Sequence, residues 1–547
     1  MITDSVPAKE QGAQDSPRPI DRRSFVRLSA LAAASAMTAG YAEAAGQTGG
    51  SSSSSGVAAT LTLQPQRVAN SAVLDAHFAS LSFEKDSINR SPVYLSGENT
   101  DLVGLLNALG GGVLRIGANS VDETTWTPSG SGKTSGQVAP ADIDNFASLM
   151  HMCRNWKVIY GVNMFGKDGS TASPQLAAGE AAYAAKQLGY QLLGFEIGNE
   201  PDLYGDGISY DIFLNGGTIS GGATFAGWNA FAQAIRAAVP HAVFTGPAAS
   251  SDKKGWAEDF AADEKGMIAL LTEHYYISNY SGAAPSISGV LADPSPGLVG
   301  ALQNLQKAAQ ANSMPFRIDE CNTYFSSKDP AGVANAFAAA LWAIDFIMTN
   351  AQYGSSGVNF HNTGNTSGYA AIGEDDSVIT AVQPLYYGLF VVSQIFRHGG
   401  RGVLLESTLS ANGVALSAWA VGTPSGVCVI LNNRDTANAA SVTIDGFGSY
   451  VTRAEVMNLA STGSTPADQL SNLGIYNGGS PITFGGEAVS LDGRWYGMPQ
   501  ELRVSGDGVM VTVAPATAAL VSVRTFGGSW LHTAGFHAGG FPDAGLR

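Results

Sequence analysis

Glu200 and Glu320 are the two residues of this chain whose setting suits bond-breaking chemistry. Glu200 follows the run Leu193-Gly194-Phe195-Glu196-Ile197-Gly198-Asn199 and precedes Pro201, while Glu320 closes Phe316-Arg317-Ile318-Asp319-Glu320. Each carboxylate stands where an apolar strand gives way to a loop. In a parallel barrel the loops after the strands build the active site, so two acids at two strand ends can face each other across one pocket. Facing carboxyls are the minimal equipment for cleaving a glycosidic bond, provided that one stays protonated and the other ionised.

Such a pair needs a scaffold. From about residue 75, short apolar runs at 82–84, 113–117, 158–164, 193–198, 242–246, 270–276, 316–319 and 358–361 alternate with stretches of helical spacing such as 177–188, 224–239, 295–311 and 333–349. Eight β/α units in order predict an α/β fold, a (β/α)₈ TIM barrel over residues 75–397 that ends in a closing helix at 384–396. Beyond it the texture changes to short β-branched segments at 403–406, 414–420, 427–432, 441–444 and 518–524, separated by Gly, Asn and Asp turns. These predict an all-β sandwich over 398–526, to which residues 59–74 contribute an N-terminal strand. Polar stretches at 127–136 and 459–479 read as loops, either over a binding face or as plain surface excursions.

Composition narrows the setting. The 547 residues are 45% hydrophobic and only 14% charged, with 67 glycines, which suits a loop-rich extracytoplasmic protein better than a disordered chain. A net charge of -16 argues against nucleic acid as a partner, because counterion release needs clustered Lys and Arg. Residues 1–45 read as a twin-arginine export signal: Arg22-Arg23-Ser24-Phe25-Val26-Arg27 leads into an alanine-rich apolar run, then Ala42-Glu43-Ala44. That run is too short to span a bilayer, so periplasmic or secreted protein without stable membrane insertion is expected. Residues 46–58 follow as a Gly/Ser linker, and 527–547 form a C-terminal tail without a functional reading. Cys153, Cys321 and Cys428 make no disulfide or metal pattern, and Cys321 reads as a buried thiol rather than a nucleophile. His274 and His361 lie on separate strands without the spacing of a metal motif, so neither metal nor cofactor is expected.

The turn Gly198-Asn199-Glu200-Pro201 after the fourth strand, with a second glutamate after the seventh, resembles the clan of retaining glycosidases built on (β/α)₈ barrels. Within it the chain is similar to glycoside hydrolase family 79, which contains β-glucuronidases and heparanases. The matches are Asn199-Glu200, His274-Tyr275-Tyr276, Glu320 with Asn322 and Tyr324, and Val358-Asn359-Phe360-His361 leading into Gly368-Tyr369. The resemblance implies Glu200 as acid/base, Glu320 as nucleophile and retention of anomeric configuration. It implies that Asn199 donates to the sugar 2-hydroxyl, that Gly368 and Tyr369 recognise the sugar carboxylate, and that Tyr275 steers the nucleophile. Only one of Tyr275 and Tyr276 can face the barrel interior, and Tyr275 is the expected one.

Tyr324 and His361 are further contact candidates. Ser82, Glu84 and Asp122 either line the sugar subsite or serve as caps and loop anchors. The expected activity is an exo-acting β-glucuronidase on a glucuronide-containing glycan or glycoside, since few basic clusters are present to meet a sulfated polymer. An endo-glucuronidase of the heparanase type, a neutral-sugar β-glycosidase and a non-catalytic carbohydrate-binding barrel are the alternatives.

Overall fold

The computed structural model describes residues 56–526, apart from 206, 251–254, 279–283, 326–331, 398–399, 449, 474–479 and 507. The export signal, most of the linker and the C-terminal tail lie outside the described residues. Among those described, no helix is long and apolar enough to cross a membrane.

Eight parallel strands close into a barrel, as the alternating pattern predicts. In chain order they are Ala79–Glu84, Gly112–Gly117, Trp156–Val162, Leu192–Ile197, Phe244–Ala249, Ile268–Tyr276, Phe316–Asn322 and Val358–His361. The last pairs back onto the first, with His361 opposite Ser82. Their runs are apolar rather than alternating because barrel strands are covered on both sides; all six residues of Gly112–Gly117 are buried. The helices outside carry local start and stop signals. Ser173 accepts the Leu176 amide ahead of Pro174–Leu188, and Ser295 does the same for Leu298 ahead of Pro296–Asn312.

The seventh strand is irregular where the site requires it. Against the sixth strand, Ile318 pairs with Glu273 and Glu320 with His274; against the eighth, Ile318 pairs with Val358 and Cys321 with Phe360. One residue more lies on the seventh strand than on either neighbour, which makes Asp319 a bulge residue. A bulge breaks the strict alternation of side chains, so Asp319 and Glu320 both turn toward the barrel interior.

The second layer system is a twelve-stranded mixed sheet. Val57–Arg67 enters it antiparallel to Gly402–Ser410 and parallel to Ala440–Asp445, so the first described strand is held by strands some 350 residues later. Val442 and Val511 from one part of the sheet share a core with Val429 and Val521 from another, as the two faces of a sandwich do. The helix Ala338–Gln352 lies between barrel and sheet, and every residue from Ala338 to Ala351 is buried. That explains why it is apolar all round.

Its one acid, Asp345, ties the two layers together. Asp345 Oδ1 accepts the Ser417 hydroxyl at 2.6 Å and the Trp419 indole N–H at 2.8 Å, and Oδ2 lies 3.3 Å from Arg434 Nε. Replacing Asp345 by Ala leaves these donors without their anion and is expected to cost about 2–4 kcal/mol. A clear fall in the thermal midpoint would confirm this, whereas an unchanged midpoint would remove Asp345 from the barrel–sandwich contact.

Candidate active site

The site is organised around a cation that the chain buries in its second barrel strand. Arg115 has no solvent exposure, and its guanidinium reaches four neighbours at the strand ends. Nε donates to Glu196 Oε1 at 2.7 Å, with Nη2 2.6 Å from the same oxygen, Nη1 donates to Glu320 Oε2 at 2.6 Å, and Nη2 donates to Asn199 Oδ1 at 2.8 Å. The contact of Nη1 with Ser82 Oγ is longer, at 3.3 Å. Burial works against the Arg115 charge, but the neighbouring acids, Glu196 foremost, outweigh it and hold the guanidinium protonated.

Glu320 is ionised for the complementary reason. Burial would raise its pKa, yet the neighbouring His361, His274 and Arg115 and the Tyr276 hydroxyl, which donates to Oε1 at 2.8 Å, together pull it well below the usual carboxylate range. Glu200 sits differently. It occupies a left-handed turn at φ 47° and ψ 53°, just after Gly198 at φ 80°, and its amide is tied to Ala248 O at 2.9 Å. A non-glycine residue in that region is strained, and here the strain fixes the direction of a functional side chain. The Glu200 side chain keeps 18% of its surface exposed, and its Oε1 lies 3.0 Å from His274 Nδ1.

A carboxylate oxygen of Glu200, a ring nitrogen of His274 and a carboxylate oxygen of Glu320 lie within 4.8 Å of one another. The spacing alone would also suit a metal ion, but the guanidinium already neutralises Glu320. Two carboxyls this close, one ionised by a buried cation and one open to the pocket, can act as nucleophile and proton donor on a single bond. The cavity beside Glu200 measures about 170 Å³ and is bordered by Asn119, Phe165, Asn199, Leu203 and Tyr204.

The structure gathers most of the sequence candidates at this barrel end. His361 Nε2 lies 3.5 Å from Glu84 Oε1 and its Nδ1 3.3 Å from Ser82 Oγ. Burial lowers the His361 pKa, but Glu320 and Glu84 more than reverse that, leaving it raised. Glu84 also accepts the Ser120 amide and hydroxyl. Tyr369 packs its ring 5.7 Å from Tyr276 and 6.1 Å from His361, and the Gly368 amide makes a long 3.4 Å turn contact with Asn365 O.

Two candidates are elsewhere, and a third borders the cavity with its carboxylate already engaged. Tyr275 does not face the pocket: its hydroxyl donates to Asp293 at 2.6 Å and its ring packs on Phe346 outside the barrel. Tyr276 takes the place expected for it, because His274 points into the site and the residue two positions on shares its face. Tyr324 turns its hydroxyl against Gly289 at the start of the helix Ile287–Ala292, away from both glutamates. Asp122 borders the cavity beside Glu200, but its carboxylate serves as a loop anchor. Its Oδ1 accepts the Met164 and Phe165 amides and its Oδ2 the Tyr204 hydroxyl, whose oxygen in turn accepts the Asn199 amide.

Arg115 and Glu196 escaped the sequence reading, although a lone Arg in Val113-Leu114-Arg115-Ile116 and a lone Glu in Phe195-Glu196-Ile197 were visible signals. Charges inside fully apolar strands are buried only with partners.

No family model matches the chain. A β-glucuronidase of Neurospora crassa is 24% identical over 324 residues, covering 51% of this chain and 55% of that protein. A β-glucuronidase of Aspergillus niger is 26% identical over 272 residues, covering 45% and 48%. The chain thus spans about half the length of the curated relatives it matches. Among solved structures, a 4-O-α-L-rhamnosyl-β-D-glucuronidase from Fusarium oxysporum superposes with a TM-score of 0.60 at 18% identity, over 85% of this chain and 100% of that one. An α-L-arabinofuranosidase from Thermotoga maritima gives 0.60 at 14% identity, over 85% and 99%. At these identities the structural likeness shows the fold, a (β/α)₈ barrel with a β-sandwich.

The placement of Tyr276, rather than Tyr275, against Glu320 is directly testable. Removing the Tyr276 hydroxyl takes one donor from an ionised carboxylate, so Tyr276→Phe is expected to raise the Glu320 pKa by about one unit. Carbon-13 titration of glutamate-labelled protein reads this, and Tyr275→Phe is expected to leave the same resonance in place; the reverse pattern would restore Tyr275.

Proposed function

We propose that this chain is a retaining β-glycosidase that releases terminal β-linked glucuronic acid. The observation that carries the reading is the 4.8 Å cluster of Glu200, His274 and Glu320, with opposite surroundings for its two carboxyls. Retaining enzymes hold their carboxyls about 5–5.5 Å apart, whereas inverting ones leave a wider gap for water. The named relatives support glucuronate as the sugar.

In the first step Glu320 attacks the anomeric carbon, the glycosidic C–O bond breaks, and Glu200 gives its proton to the departing oxygen. In the second, Glu200 takes a proton from water, whose oxygen displaces Glu320 and restores the original configuration. His361, His274, Arg115 and the Tyr276 hydroxyl keep Glu320 ionised between turnovers. Asn199, its amide oxygen fixed by Arg115, presents its NH₂ group for the sugar 2-hydroxyl, a contact that strengthens as charge develops at the anomeric carbon.

The chain is acidic overall, so an anionic sugar needs local donors. Tyr369 and the loosely bonded Gly368 amide supply them without a basic side chain, beside a His361 ring that favours its charged form. Ser82 and Glu84 brace that ring.

Purified protein is expected to cleave an aryl β-glucuronide and to prefer it over the matching β-glucoside and β-xyloside. Glu320→Gln is expected to lower kcat by about three orders of magnitude or more. A preference for the neutral sugars would defeat the carboxylate role of Gly368 and Tyr369, and a wild-type protein inactive on all three would sink the enzyme reading for these substrates.

Export belongs to the same proposal and rests on Arg22-Arg23 and the small-residue site at Ala42-Glu43-Ala44. Replacing both arginines by lysine is expected to leave uncleaved precursor inside the producing cell. Equal export of the double variant would contradict the twin-arginine assignment.

A further inference from the structure

Below the Glu200 and Glu320 pair lie two buried acids that the proposed reaction does not use. Glu196 and Asp319 have no solvent exposure and share Arg115 with Glu320. Glu196 takes both guanidinium contacts on its Oε1, at 2.6 and 2.7 Å, while Asp319 Oδ2 stands off at 3.6 Å from Nε. Three carboxyls therefore face one permanent cation away from bulk solvent, an arrangement that three full negative charges would make very costly.

The hydrogen bonds around the three acids indicate which one carries a proton. Glu320 has two donors, Arg115 and Tyr276, so it is ionised. Glu196 Oε1 is held by the guanidinium, but Glu196 Oε2 and both Asp319 oxygens have no other hydrogen-bond partner among the described residues. A single proton between Asp319 and Glu196 pairs Glu196 Oε2 with one of the Asp319 oxygens. Burial first, and then the adjoining Glu196 charge, push the Asp319 pKa well above the usual range.

The remaining charged groups facing Asp319 do not replace that proton. His274 on the sixth strand has Nε2 3.7 Å from Oδ1, beyond hydrogen-bond reach. Arg317, two residues back on the same strand, gives its guanidinium to Asn359, Ser80 and the carbonyls of His77 and Ser356.

We propose that Asp319 and Glu196 share one proton, and that Asp319 is thereby a positioning residue: as a neutral acid donating to Glu196, it leaves the Arg115 charge divided between two anions rather than three. Its functional consequence, which rests on the reading of Glu320 as nucleophile, is that Glu320 stays ionised without a third carboxylate competing for the same guanidinium. The bulge at Asp319 is what makes this possible, since a regular strand would have turned either Asp319 or Glu320 outward.

Thermal unfolding of wild type and Asp319→Asn between about pH 5 and pH 8 reads the shared proton without any substrate. An acid whose folded pKa is raised binds a proton that the unfolded chain releases above about pH 3.9. Its stabilisation is complete below that value and is lost as pH rises toward the folded pKa. Asn carries no such proton. The midpoint of Asp319→Asn relative to wild type is therefore expected to climb by about 2–4 °C across the range; a difference that stays flat or falls would overturn the proposal.

With a glycoside that the wild type turns over, the acid limb of kcat/KM is expected to stay within about 0.3 pH unit in Asp319→Asn, because a neutral group replaces a neutral group. A downward shift of about one unit or more would show that Asp319 was an anion and would overturn the proposal. If the wild type turns over no glycoside, the functional reading fails while the thermal series still decides the proton. In wild-type protein carrying ¹³C-aspartate, a protonated-carboxyl stretch is expected in the infrared at neutral pH. Its absence would overturn the proposal whether or not the variant folds.

Discussion

The Arg115 guanidinium sits inside the barrel with no access to water, and a charge in that position is tolerable only when anions and polar oxygens enclose it. Glu196 comes from the fourth strand and Glu320 from the seventh, with Asn199 on the loop beyond the fourth, so a single side chain fixes the relative placement of three segments far apart in sequence. His361, His274, Arg115 and the Tyr276 hydroxyl together hold Glu320 as an anion against the burial that would protonate it. Barrel closure, the bulge at Asp319 and the strained turn at Glu200 all serve to bring these groups to one end of the barrel.

The same cation separates the two glutamates into different roles. Glu320 is enclosed by Arg115, Tyr276, His274 and His361, all of which favour its anion. Glu200 touches only His274 among these and opens onto the cavity lined by Phe165 and Leu203. Two chemically identical side chains thus differ because one faces a fixed positive charge and the other faces the place where a departing group would stand. The overall charge of -16 does not enter at this range, since local donors inside a low-dielectric barrel outweigh a distant, screened field.

Much of this was legible in the sequence, and the gaps have physical causes. Eight apolar runs ending in polar residues gave the barrel, and the two glutamates stood at the ends of its fourth and seventh strands. Side-chain direction was harder. Tyr275 and Tyr276 are equivalent by composition, and alternation decides between them only once His274 is known to face the site. Tyr324 follows Glu320 closely in sequence, yet the chain has already left the strand and turned its ring toward Gly289. Asp122 shows the limit of residue type as a guide, because nothing local reveals that Tyr204, more than eighty residues on, will claim its carboxylate. Neighbouring acids on a strand should also face opposite ways, so only the bulge explains why Asp319 and Glu320 share the interior.

The central claim is that Arg115 holds Glu320 as an ionised nucleophile within reach of the proton donor Glu200. Incubation with a fluorinated β-glucuronide that forms its glycosyl-enzyme quickly and hydrolyses slowly, followed by peptide mass spectrometry, tests it most directly. The account predicts one sugar adduct on the peptide bearing Glu320, with labelling abolished in Arg115→Met. An adduct on a different residue, or turnover of the natural-configuration substrate to the inverted anomer with no adduct at all, would contradict it.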